Sequence, residues 1–117
     1  MNKLEKVNRR KALNRVRTNV ELLRNSDHTL KNVYDIIFIH PDYTFLNVLN
    51  SYGYDEITYQ KVDAYNRCFG HYFKNHFKTK YRYVGLLLDN SKEWIYSFFG
   101  LLFAGYTPVL LSTANPL

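Results

Sequence analysis

Cysteine is nearly absent from this chain. Cys68 stands alone among 117 residues, so no internal disulfide can form and the composition suits a reducing compartment. The N-terminus has no apolar core behind its positive charges, which argues against a secretory signal and predicts a cytoplasmic location. Glycine is scarce too: the five glycines, at 53, 70, 85, 100 and 105, never cluster, so there is no glycine-rich loop to cradle phosphates. Metal ligands are equally thin. Cys68 and His71 lie three apart and His76 follows, but no second Cys/His pair completes a tetrahedral set. They read as a packed thiol beside surface imidazoles. A Cys-His nucleophile pair fares no better, because a catalytic thiol and its base usually come from separate elements. No catalytic, cofactor-binding or metal-ligating residue is assigned.

What is present points to a globular protein. Apolar residues make up 46% of the chain and aromatics 17%, enough for one domain with a modest core. The net charge of +6 is unevenly spread: residues 1–25 hold eight Lys/Arg and two Glu, while the remainder is balanced. Within residues 3–24, Leu4, Val7, Leu13, Val16, Val20 and Leu23 recur at helical spacing beside Arg9, Arg10, Lys11, Arg15 and Arg17. That pattern predicts a basic amphipathic helix. Its readings are a solvated helix resting a thin apolar stripe on the domain, an artefactual extension, an anionic-membrane anchor, a nucleic-acid arm or an organellar targeting peptide.

After Asn25-Ser26-Asp27 a short helix is expected, with Leu30, Val33, Ile36 and Ile37 on one face, Asp27 or Thr29 as cap, and Pro41 preventing continuation. Tyr43 to Leu49 and Tyr54 to Tyr59 are β-prone and flank the turn residues Asn50-Ser51-Tyr52-Gly53, which predicts a hairpin. Residues 60–78 form a long helix with Val62, Tyr65, Phe69, Tyr72, Phe73 and Phe77 as its apolar stripe and Gly70 placed to admit a close neighbour. The run KNHFKTKYRYV at 74–84 interleaves basic and aromatic residues as a single-strand stacking surface does. Its position, where a helix meets a strand, favours a structural role, with Tyr81 and Tyr83 covering the strand mouth.

The chain is organised around residues 83–111. Val84 to Leu88 is a short apolar run closed by Asp89-Asn90-Ser91, the pattern of a strand buried on both faces. A helix follows, with Asn90 as N-cap, Glu93 at its third position and Ala104-Gly105 as its stop. Trp94, Ile95, Phe98, Phe99, Leu101, Leu102 and Phe103 leave it almost no polar face, so it should be buried, its small stripe Ser97, Gly100, Ala104 lying against a sheet. Thr107 to Leu111 reads as a second strand. Two apolar strands joined by a helix make a βαβ unit with parallel strands. From Trp94 onward no residue is charged, a run long enough to span a bilayer. Gly105, Pro108, Ser112, Thr113 and Asn115 divide that run into a helix and a strand instead.

At this point the sequence resembles a family. VGLLL, DNSKEW and LLFAGYTPVLLSTANP are similar, in order and spacing, to the "VAILLPNSPEW…AFLACLKAGAVYVPLNP" segment of the acyl-adenylate-forming synthetases and ligases. Upstream, Ile57-Thr58-Tyr59-Gln60-Lys61-Val62 resembles the family's "LTYxEL", and HPDYTFL its "hPdktAl". Two departures stand out: Lys61 replaces the glutamate that would complete a capping box with Thr58, and Tyr81-Arg82 replaces Gly-Asp before the strand. The resemblance spans about residues 29 to 117. It implies an α/β fold, the truncated N-terminal portion of an adenylate-forming ligase domain. Residues 1–25 would then be a basic helical extension and 26–117 a partial subdomain.

The resemblance also implies the function of the intact enzyme, in which ATP, Mg²⁺ and CoA serve to activate a carboxylate and pass it to a thiol. The family's phosphate loop, metal-binding acid, ribose aspartate and C-terminal lysine all lie beyond position 117. None can be carried onto a residue of this chain, which is expected to be inactive alone and to need the rest of a ligase chain or a second copy as partner. No specific nucleic acid is implied. The contrasting expectation is a small non-enzymatic adaptor that docks an anionic surface through residues 3–24.

Overall fold

The computed structural model describes residues 2–112. In chain order its elements are α1 (Lys3–Arg24), α2 (Leu30–Ile37), β1 (Thr44–Asn50), β2 (Gly53–Thr58), α3 (Tyr59–His76), β3 (Tyr83–Leu86), α4 (Lys92–Phe103) and β4 (Thr107–Leu110). They form two compact units, Met1–His40 and Pro41–Leu117.

The first unit is a helix pair. α1 opens with a reciprocal capping box: the Glu5 N–H donates to Asn2 Oδ1 at 2.8 Å, and the Asn2 N–H to Glu5 Oε2 at 3.0 Å. Thr29 caps α2, its hydroxyl accepting from the Asn32 N–H at 3.2 Å. The inward face of α2 is rotated from the expected one: Leu30 is exposed, and Tyr34 is the buried residue, with Phe38 stacked on its ring at 4.2 Å. An aromatic side chain buries more apolar area than a leucine, so the ring sets the orientation of this short helix.

The second unit holds the hairpin and the βαβ element. β1 and β2 pair antiparallel, Asn50 opposite Gly53, around the two-residue loop Ser51-Tyr52. Asn50 Oδ1 accepts from the Tyr52 N–H at 2.8 Å, and Gly53 takes φ 143°, a conformation that favours glycine. Thr58 then starts α3, its hydroxyl accepting from the Lys61 N–H at 3.3 Å, and Lys61 occupies the position where a glutamate would complete a capping box.

The core lies between α3 and α4. Val62, Asn66 and Gly70 of α3 and Tyr96, Ser97, Gly100 and Leu101 of α4 are buried. Gly100, at the centre of the small stripe, lies against the partner helix. A Cβ built on Gly70 would fall 2.8 Å from Phe103 Cβ, and one on Gly100 would fall 2.7 Å from Phe69 Cβ. Helices this close need glycine on both sides.

α4 ends in a Schellman motif. The Gly105 N–H donates to Leu102 O at 3.1 Å and the Tyr106 N–H to Leu101 O at 2.9 Å, with Gly105 at φ 88°. Its N-cap is Ser91 and not the expected Asn90. The Ser91 hydroxyl donates to Asp89 O at 3.0 Å and accepts from the Trp94 N–H at 3.1 Å, so it holds the turn and the cap together. The shift of one residue leaves Glu93 in the first turn, favourable to the dipole but without a capping box.

β3 and β4 are parallel, with Tyr83 opposite Thr107 and Leu86 opposite Leu110, and α4 connects them. The expectation of a strand buried on both faces is overturned: Leu86 is buried, whereas Tyr83, Gly85, Leu87 and Leu88 are exposed, as are Val109, Leu110 and Leu111. Burial on both faces requires layers on both sides, and this sheet has two strands with α4 as their helical neighbour. Tyr81 and Tyr83 do not cover the strand mouth; both stand in solvent. Phe77 does that work at the end of α3, meeting Tyr106 edge-on at 5.6 Å.

Candidate functional site

In the second unit, three segments line an open cleft of about 530 Å³. β2 contributes Asp55, Glu56 and Ile57, the first half of α3 contributes Lys61, Tyr65 and Phe69, and the first turns of α4 contribute Lys92, Glu93 and Tyr96. Its charged residues are all exposed. Three carboxylates face two ammonium groups, a balance that favours no polyanion. Glu56 accepts from the Thr44 hydroxyl at 3.4 Å across the hairpin, which assigns it a structural partner.

Tyr96 is the exception in this rim. It is 4% exposed, stacked on Tyr65 at 4.9 Å and edge-on to Phe69 at 5.5 Å. Its hydroxyl has no hydrogen-bond partner among the described residues. Burial raises its pKa above the usual tyrosine value, and Tyr65 and Glu93 push in the same direction. A phenol held neutral in this way can donate a hydrogen bond, and no acceptor for it stands among the described residues.

Because the folded-state pKa is raised, the folded protein holds this proton more tightly than the unfolded chain. The associated stability is fully present below the unfolded value near 10 and is lost as pH rises through the folded value. Alkaline titration followed by tyrosinate absorbance should therefore show a late step, above the ordinary tyrosine range, that belongs to Tyr96. Tyr96→Phe should remove that late step and leave stability unchanged or raised by about 1 kcal/mol, since an unsatisfied hydroxyl is deleted. A late step that survives in the variant would assign it to another residue.

The residues weighed for chemistry remain apart. Cys68 is exposed, not packed as expected, because its position on α3 faces away from α4. His71 Nε2 pairs with Asn75 Nδ2 at 2.9 Å, while His76 stacks on Tyr72 and its Nδ1 lies 3.0 Å from Tyr72 O. Among the described residues no group of three or more His, Cys, Asp or Glu is placed to hold a metal ion. Nor is any described helix long and apolar enough to cross a membrane.

A nucleoside triphosphate is held by backbone N–H groups of a glycine-rich loop, and the described residues do not fit one. Each glycine is already used locally, with Gly53 in the hairpin, Gly70 and Gly100 between helices, Gly105 at a helix end, and Gly85 within β3 beside Leu111. Sequence reasoning missed two residues, buried Asn66 and Tyr96. Only the polar type of Asn66 within the apolar stripe of α3 marked it out. Tyr96 was hidden among the aromatics of α4.

Comparison with curated proteins and with solved structures gave no match. A family model described as AMP-binding enzyme matches residues 38–117, an interval that takes in the hairpin, α3 and the β3–α4–β4 element. With that match covering most of the chain and an α/β order of elements that agrees with the resemblance read from the sequence, this chain belongs to the AMP-binding enzyme family.

Proposed function

We propose that this chain supplies the N-terminal scaffold of an ATP-dependent enzyme that activates a carboxylic acid as its acyl-adenylate and passes the acyl group to a thiol such as CoA. The observation that carries this reading is the family match over residues 38–117, which coincides with the second compact unit. ATP, Mg²⁺ and CoA are assigned to the intact enzyme, and no step is assigned to residues of this chain. Its part is architectural: α3 and α4 lock together, and the parallel pair β3–β4 offers apolar residues and strand edges to further chain or to a second copy. An exposed single thiol at Cys68 supports residence in a reducing compartment, the cytoplasm by default.

The purified chain is expected to be inactive. Assayed for carboxylate-dependent exchange of pyrophosphate into ATP, it should give no signal above a heat-denatured blank. Its melting temperature should not respond to Mg·ATP, since a ligand that does not bind the folded state cannot stabilise it. Exchange above the blank would show that the chain holds its own phosphate site.

A further inference from the structure

The α1 helix lies outside the architecture just assigned, and its surface has an unusual composition. At 100° per residue, the residues within one arc of about 100° are Lys6, Arg9, Leu13, Val16, Arg17, Val20 and Arg24. Every one is basic or aliphatic, and every one is exposed. Leu13, Val16 and Val20 stand at 53%, 59% and 40% exposure along the middle of the helix, with Lys6 and Arg9 at one end of the stripe and Arg24 at the other. The half-buried residues Ala12, Arg15, Asn19 and Leu23 occupy a neighbouring face. Both glutamates, Glu5 and Glu21, fall outside the basic arc. From Lys6 to Arg24 it runs roughly 27 Å at 1.5 Å per residue.

We infer that this face is a docking surface for an anionic lipid bilayer, on which α1 lies in the plane of the headgroups. Charge complementarity names the occupant's sign: residues 1–25 carry the whole net excess of +6. The aliphatic stripe names its class. Exposed Leu13, Val16 and Val20 gain nothing from a phosphodiester backbone, and the segment has no aromatic residue on which a base could stack. In a bilayer interface the same three side chains enter the acyl boundary while the arginines reach back to the phosphates. With ten charged residues in 22, the helix lies on the membrane and does not span it.

The test is cosedimentation of the full chain with vesicles of phosphatidylcholine, with and without phosphatidylserine. Binding should require phosphatidylserine and weaken as salt rises from about 0.1 M to about 1 M, where the screening length falls from about 10 Å to about 3 Å. Arg9→Gln/Arg17→Gln/Arg24→Gln should lower the partition coefficient on the order of 100-fold, at about fivefold per basic residue. Leu13→Gln/Val16→Gln/Val20→Gln should lower it by about tenfold or more with every charge retained. Leu4→Gln, about 120° from the nearest edge of the arc, should bind as the parent does. Glutamine is a good helix former, and helical circular dichroism checks that α1 persists in each variant. Undiminished binding by the aliphatic variant overturns the proposal and leaves a purely electrostatic contact, as with a nucleic acid. Equal binding to neutral vesicles, or binding to neither kind, overturns it too.

Discussion

Gly100→Val in the full chain should lower stability by about 3 kcal/mol, a fall of roughly 15 °C in the thermal midpoint for a unit of this size. The cause is local and steric. Even the first carbon added at Gly100 would sit 2.7 Å from Phe69 Cβ and 3.0 Å from the backbone nitrogen of Gly70, so α3 and α4 must separate. Two opposing effects set the size for Gly100→Ala: helix propensity favours alanine by about 1 kcal/mol, and the overlap costs more, for a net loss of about 1 kcal/mol. Gly70 meets the same contact from the other side, 2.8 Å from Phe103 Cβ. Because one separation of the helices relieves both overlaps, the double alanine variant should cost less than the sum of the singles. Gly105→Ala is the informative comparison. Nothing lies within 4 Å of its added Cβ, and its cost of about 1 kcal/mol would come from the backbone at φ 88° alone. An unchanged midpoint for Gly100→Val would mean that the helices are not in contact there.

The second large effect is expected at Leu101, which is 2% exposed and among the largest fully buried side chains. Leu101→Ala should cost about 3 kcal/mol in chemical denaturation, the loss of transfer energy plus that of an unfilled cavity. Leu110→Ala in β4 should cost well under 1 kcal/mol, since that leucine is 57% exposed and its truncation removes little buried area. The pair of values measures how the apolar residues of this unit divide between an interior and an open surface. If the two substitutions cost the same, the β3–β4 sheet is covered in solution, by a second copy or by chain that the described residues do not include.

Local chemistry made much of this fold readable in advance. Thr58 and Gly105 are marked by residue type alone, because a hydroxyl before a helix and a glycine after it satisfy specific unpaired backbone groups. Asn50 and Gly53 define the hairpin turn for the same reason. The parallel order of β3 and β4 follows from the helix between them, which carries the chain back to the same end of the sheet. Where neighbouring residues compete for one role, the reading slipped by a position, as when Ser91 and not Asn90 capped α4. The candidate site was less legible. Asp55 and Glu56, Lys61 and Tyr65, and Lys92 to Tyr96 come from three segments, and no spacing within any one of them announces the cleft they line.

Membership of the AMP-binding enzymes, the basic character of α1 and the lack of a phosphate-gripping loop were properties of residue order, because each rests on types and spacings within a continuous stretch. Only the folded chain decided that Gly100 of α4 faces α3, that the buried Tyr96 hydroxyl has no hydrogen-bond partner among the described residues and that the strand residues of β3 and β4 are largely in solvent. Those outcomes depend on which surfaces meet across long separations in sequence. An apolar residue carries the same tendency to leave water wherever it stands, and the number of layers around it determines whether it can.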